Sequence, residues 1–157
     1  MENFWSGMNR YEQWMSVAIA EARLAAASAD VPVAALIVDA DGEVIALGHN
    51  EREQHADPTA HAEIVAIRAA AAARGTWRLD DVTLVVTLEP CTMCAGAILQ
   101  ARIPRVVFGA WDDKAGAVGS VNDVLRDRRL PHRVEVVSGV LERECAELLT
   151  DFFEQRR

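Results

Sequence analysis

Two short runs constrain this chain more than any other feature: His61-Ala62-Glu63 and Pro90-Cys91-Thr92-Met93-Cys94. Each lies between an apolar stretch with strand character and a segment with helical spacing. His61 and Glu63 are two apart, so along a helix they point to nearly opposite sides. Both can reach one ion only if it lies near the helix N-terminus. Cys91 and Cys94 are three apart and share a helix face. Pro90 suits a first turn, where its missing N–H is harmless, and so sets both cysteines at the start of a helix. A fold that uses these residues together must bring two helix N-termini to one point.

The rest of the chain supplies a frame for that. Residues 8–29 predict an amphipathic helix, with Tyr11, Met15, Ala18, Ile19 and Ala22 at helical spacing. The apolar run Val31–Val38 reads as a buried strand, Asp39 to Gly42 as a turn, and Glu43–Gly48 as the returning strand of a hairpin. Residues 49–60 read as a polar loop. A helix is expected over His61–Arg74, stopped by Gly75. Val82–Leu88 predicts a strand, and the helix from Pro90 reaches about Arg102. A strand follows at Arg105–Gly109, then a loop at 110–120, a short helix at 121–127, a strand at Val134–Val137 and a final helix at Leu141–Gln155. Strands alternating with helices after an opening hairpin imply an α/β fold with a mixed sheet of about five strands. The 157 residues suit one domain, 1–157.

The chemistry follows from the donor types. One imidazole and two thiolates make three ligands, and a tetrahedral zinc so held keeps one corner open, as catalytic sites do. At such a corner the pKa of water falls to about 7. Glu63 is then free to act as a proton shuttle beside the ion. The competing reading is a closed structural zinc with His55 or Cys145 as fourth ligand, which leaves Glu63 without a role. His49 and His132 read as polar loop or edge residues. Cys145, at helical spacing from Leu141, Leu148 and Leu149, reads as core. Asn50 either forms a turn or offers its amide to the edge of a base; spacing alone leaves the two readings level.

Composition narrows the partners. Residues 1–101 carry 6 basic and 14 acidic side chains, whereas residues 102–157 carry 10 of each. The acidic first part argues against a broadly basic, non-specific nucleic-acid binder. The late arginines, among them Arg126, Arg128, Arg129 and Arg133, leave room for a local basic face. Three cysteines, two of them in one C-x-x-C, suggest no disulfide framework and a reducing compartment. Residues Met1–Trp14 lack the uninterrupted apolar core of a signal peptide. No apolar run approaches the ~18 residues of a membrane span. A soluble, cytoplasmic protein is expected.

The H-x-E…P-C-x-x-C order is a signature of zinc nucleobase deaminases, and the chain resembles the bacterial tRNA-specific adenosine deaminases from about Trp14 to its C-terminus. The resemblance is carried by Asp57-Pro58-Thr59-Ala60-His61-Ala62-Glu63, Val86-Thr87-Leu88-Glu89-Pro90-Cys91 and Met93-Cys94-Ala95-Gly96-Ala97. Val106-Val107-Phe108-Gly109-Ala110, Gly116-Ala117-Val118-Gly119-Ser120 and Asp151-Phe152-Phe153 extend it. The zinc motif alone also fits deaminases of free guanine, cytosine or deoxycytidylate.

The resemblance implies a three-layer α/β/α cytidine-deaminase-like fold. It also implies one zinc per subunit on His61, Cys91 and Cys94, with Glu63 shuttling protons. The Ala62 N–H and the Asn50 side chain would hold a flipped-out adenine. Asp112, Lys114, Phe153 and Arg156 would meet the anticodon stem-loop. The implied reaction converts the wobble adenosine of an arginine tRNA to inosine, in a homodimer. Trp77 and Trp111 are candidate stacking faces or core residues. Trp111 and Glu154 depart from the family, which carries polar or basic residues there.

Overall fold

The structure is a computed structural model and describes residues 7–157. Helix α1 (Arg10–Ala25) begins in a capping box, with the Asn9 side chain accepting from the Glu12 N–H at 2.9 Å. A single 3-10 turn, Ala26–Ser28, ends it. Strands β1 (Ala34–Val38) and β2 (Val44–His49) form the expected hairpin, and a short helix α2 (Arg52–His55) precedes α3 (Ala62–Arg74). β3 (Thr83–Leu88), α4 (Thr92–Gln100), β4 (Arg105–Ala110), β5 (Glu135–Val137) and α5 (Glu142–Glu154) complete the order. Gly75 ends α3 in the left-handed conformation, at φ 68°.

The sheet has five strands in the order β2-β1-β3-β4-β5. β1 runs antiparallel to both β2 and β3, and β3, β4 and β5 are parallel. β2 and β3 therefore point the same way, and the chain leaves both at the same edge of the sheet. Strand residues alternate between two cores. Ala35, Ile37, Leu84 and Val86 pack with Ala62, Ala66, Ala95 and Ile98 of α3 and α4. Leu36, Val38, Val85 and Val107 pack with Trp14, Met15 and Ile19 of α1 and with Cys145 of α5. The result is three layers, α/β/α, with the site-bearing helices α3 and α4 on one face.

Local expectations fail where tertiary bonding decides. Residues 49–60 are not loop throughout: the buried Asp30 carboxylate accepts from the Glu53 and Gln54 N–H groups at 2.7 and 3.2 Å and so stabilises α2. Residues 121–127 form turns rather than a helix. The Val124 N–H bonds to the Ala117 carbonyl at 2.8 Å, and Val118 bridges Asp123, so the segment's backbone pairs across the loop. The first strand starts at Ala34 rather than at Val31-Pro32, since Pro32 has no N–H for a ladder.

The approach of α3 to β2 depends on Gly48. A Cβ there would lie 2.7 Å from both the Ala62 carbonyl oxygen and the Ala66 nitrogen, which are backbone atoms that cannot rotate away. Gly48→Ala is expected to lower unfolding stability by about 1–3 kcal/mol, read as a lower denaturant midpoint. An unchanged midpoint would contradict this contact.

Candidate active site

His61 and Cys91 occupy equivalent places. Each is the N-cap of its helix, with extended backbone (φ −67°, ψ 154° and φ −77°, ψ 176°), and neither side chain caps its own helix. The expected helix at His61 thus begins one residue later. That displacement removes the difficulty of the two-residue spacing: His61 lies outside the helical twist and can face the same point as Glu63. Pro90 likewise stands one residue before the N-cap and not in the first turn. Its carbonyl is engaged by the Ala117 N–H at 2.8 Å. Cys94, three residues into the cap sequence, is fully buried.

The three donors converge. His61 Nδ1 lies 3.6 Å from Cys91 Sγ and 3.5 Å from Cys94 Sγ, and all three ligand atoms fall within 4.8 Å of one another. A tetrahedral zinc with its usual Zn–N and Zn–S bond lengths separates nitrogen from sulfur by about 3.6 Å. The residues therefore fit the ion. Among the described residues no fourth His, Cys, Asp or Glu joins the group. His55 instead faces Glu51 at 3.4 Å, and Cys145 packs in the core under α5. The closed-site reading fails on both. His49 pairs with Glu21 at 2.9 Å, and His132 Nε2 meets the Ile103 carbonyl at 2.9 Å, structural roles for each.

Electrostatics favour a cation here. The Cys94 thiol pulls Cys91 down to about 4, and His61 adds to this against the opposing effect of burial. The same hydrogen bond, followed by burial, pushes Cys94 up. Two thiols sharing one proton leave one thiolate at the site, and its hydrogen bond raises His61 against burial. Two helix N-termini also point at the site and stabilise that charge. Glu63, in the first turn of α3, is 4% exposed. Burial raises its carboxyl to about 7, against the pull of its backbone N–H and of His61.

A cavity of about 230 Å³ opens above the donors. His61, Glu63 and Cys91 lie at its floor, with Ala62, Asn50 and Asp112 among the other expected residues on its walls. Asn50 does form the turn: its Nδ2 donates to the Val31 carbonyl and its Oδ1 accepts from the Arg52 N–H, both at 3.2 Å. It lines the cavity as well. Lys114 is exposed on the 110–120 loop and is not among the lining residues. Phe153 is exposed on α5, and Arg156 stacks on the Phe152 ring with its guanidinium 3.5 Å from the centroid. Arg156 borders a second cavity that shares Val31, Asn50 and Arg52 with the first. Trp77 is 60% exposed, and Trp111 is 41% exposed with its ring edge-to-face on Phe108 at 4.9 Å.

Two charged cavity residues escaped the sequence reading. Arg52 sits at the rim, and no ion pair engages it among the described residues. Glu89 is only 2% exposed, and its carboxylate is ringed by donors from the 110–120 loop. The available signal was an acidic residue at the end of an apolar strand directly before Pro90, a place where burial demands several hydrogen-bond donors.

Comparison with known proteins agrees with this geometry. Residues 8–110 match the cytidine and deoxycytidylate deaminase zinc-binding region. The tRNA-specific adenosine deaminase of Bacillus subtilis (strain 168) is 48% identical over 150 residues, 96% of this chain and 92% of that one. That of Haemophilus influenzae is 49% identical over 146 residues, covering 93% and 84%. A solved structure from work on A-to-I editing by tRNA:A34 deaminases at the wobble position superimposes with a TM-score of 0.83. It is 47% identical and covers 87% of this chain and 99% of its own. With near-half identity along almost the whole length, and a donor set matching the zinc-binding region, the chain belongs to the tRNA-specific adenosine deaminases, within the cytidine and deoxycytidylate deaminases.

Proposed function

We propose that the chain hydrolyses the wobble adenosine of an arginine tRNA to inosine, releasing ammonia. The observation that carries this reading is the three-donor group with an unbound, buried carboxylate beside it, at the floor of a cavity. His61, Cys91 and Cys94 would hold one zinc per chain, which when bound acidifies water and so supplies a nucleophile at neutral pH.

The chain's own residues do the rest. Glu63 takes a proton from the attacking water and delivers it to the ring nitrogen beside the amine-bearing carbon. It then takes the proton of the newly added hydroxyl and gives it to the departing amine, so that the carbon–nitrogen bond breaks, ammonia leaves and the carbonyl forms. The Ala62 N–H, first in its helix and so without an intrahelical acceptor, and the Asn50 amide orient the base. Val31, Val33 and Leu88 line the walls and exclude solvent water.

Anticodon-loop bases are unpaired, so extruding one costs little compared with opening a duplex. Asp112 and Lys114 would meet neighbouring nucleotides from the 110–120 loop, and Phe153 and Arg156 from α5. Arg52 and Arg156, both on the second cavity, support a phosphate path leading from the first. The same proposal takes residues 1–157 as one deaminase domain acting in the cytoplasm. It also takes the protein as a homodimer, for which Trp77, exposed in a cleft between α3 and α4, supplies an apolar face to cover.

The test is direct. Purified protein with an arginine tRNA transcript bearing adenosine at the wobble position is expected to yield inosine there, more weakly as salt rises. Consumption of free guanine or cytosine with the tRNA left intact would replace this reading with a small-molecule deaminase.

A further inference from the structure

We infer that Glu89 is a positioning residue for the substrate: its buried carboxylate holds the 110–120 loop against the cavity and sets where Asp112 and Ala115 stand. The inference rests on the cavity being the nucleobase pocket proposed above. Glu89 Oε1 accepts from the Asp112 N–H at 3.0 Å and from the Ser120 hydroxyl. Oε2 accepts from the Val118 and Ser120 N–H groups at 2.9 and 3.1 Å. All four donors belong to one loop, and none comes from the sheet. The carboxylate therefore contributes nothing to strand pairing; it pins a loop to the turn between β3 and α4. Buried polar oxygens need donors, and each oxygen of this carboxylate has two.

The loop is moulded to this carboxylate. Gly116 faces it so closely that a Cβ would run into all three carboxyl atoms. The backbone reinforces the pin on either side, through the Glu89 N–H to the Ala110 carbonyl and the Ala117 N–H to the Pro90 carbonyl, both at 2.8 Å. Asp112, once held, shapes the next turn: its Oδ1 accepts from the Lys114 and Ala115 N–H groups at 3.1 and 3.2 Å. Asp112 and Ala115 then form cavity wall along with Glu63 and His61. Glu89 borders the cavity, but both of its carboxylate oxygens are occupied by loop donors, so it acts on the substrate by placing the loop. A residue serving the fold alone would affect melting and leave substrate binding untouched in the folded protein.

Glu89→Gln keeps the size and replaces one acceptor oxygen with an amide that faces N–H groups. The zinc-loaded variant, assayed with an anticodon stem-loop RNA, is expected to keep one zinc per chain. Its KM should rise about tenfold or more with a much smaller change in kcat. Amide exchange should accelerate at Asp112, Val118 and Ser120 and stay unchanged in α3 and α4. Ser120→Ala, which removes one donor, should move KM and exchange in the same direction by less. A folded Glu89→Gln protein with the parental KM overturns the inference. If that variant does not fold, unchanged KM and exchange in Ser120→Ala overturn it instead. If the parent protein leaves the stem-loop unreacted, the proposed function fails, and exchange across 112–120 alone decides the role of Glu89.

Discussion

Glu63→Ala is expected to slow inosine formation by about 10²–10⁴-fold, the usual contribution of a positioned general acid–base group, while zinc stays at one per chain. Glu63 stands outside the His61, Cys91 and Cys94 group, so its removal leaves every metal donor in place. It is buried beside that group, and burial holds its carboxyl near 7, where taking and giving a proton are nearly balanced at neutral pH. Glu63→Gln should fail as completely, because an amide keeps the shape but cannot carry the proton. Neither substitution should weaken the fold. Replacing a buried ionisable group with a neutral one is often neutral or stabilising, so the melting temperature should hold or rise. Parental turnover in either variant, with zinc bound, would remove Glu63 from the proton path.

Much of this site was legible because the sequence places its donors at element boundaries. An apolar run, a break and a helical repeat locate β3 and α4 around Pro90, and the hairpin before α3 is marked by Asp41-Gly42. Those signals suffice for the five-strand α/β frame and for the convergence of two helix starts. What they do not carry is the position of a residue relative to its cap. Whether His61 is the first helical residue or the N-cap shifts its side chain by about 100° around the axis, and that one step decides whether it can share a centre with Glu63. Non-local bonding was equally hidden. α2 depends on Asp30, more than twenty residues earlier in the chain, and the 121–127 turns depend on backbone pairing with the preceding loop. Glu89 reads locally as the end of a strand, and its partners emerge only when residues 110–120 fold back over it. Asn50 forms the turn that its residue type suggests, and its place on the cavity wall emerges only with the fold.

Cys94→Ala should be the more damaging change, with zinc falling far below one per chain and deamination reduced by at least about 10⁴-fold. Acidification of water by the ion is worth several kcal/mol of barrier, and each 1.36 kcal/mol is a factor of ten. Two donors, His61 and Cys91, cannot hold the ion as three do. The loss of a buried thiol could by itself disturb the core, so Cys145→Ala is the control. Cys145 is also buried, lies outside the donor group and packs between α5 and β4, where its thiol is pushed up to about 12 by burial. Its removal leaves a small cavity and lowers stability, but zinc content and turnover at 25 °C should stay at parental levels. The contrast separates metal binding from packing, because both variants delete one buried sulfur and only one of them deletes a ligand. Full zinc occupancy with parental activity in Cys94→Ala would mean that the ion is held by other groups, and the open corner on which hydrolysis depends would have to be sought elsewhere.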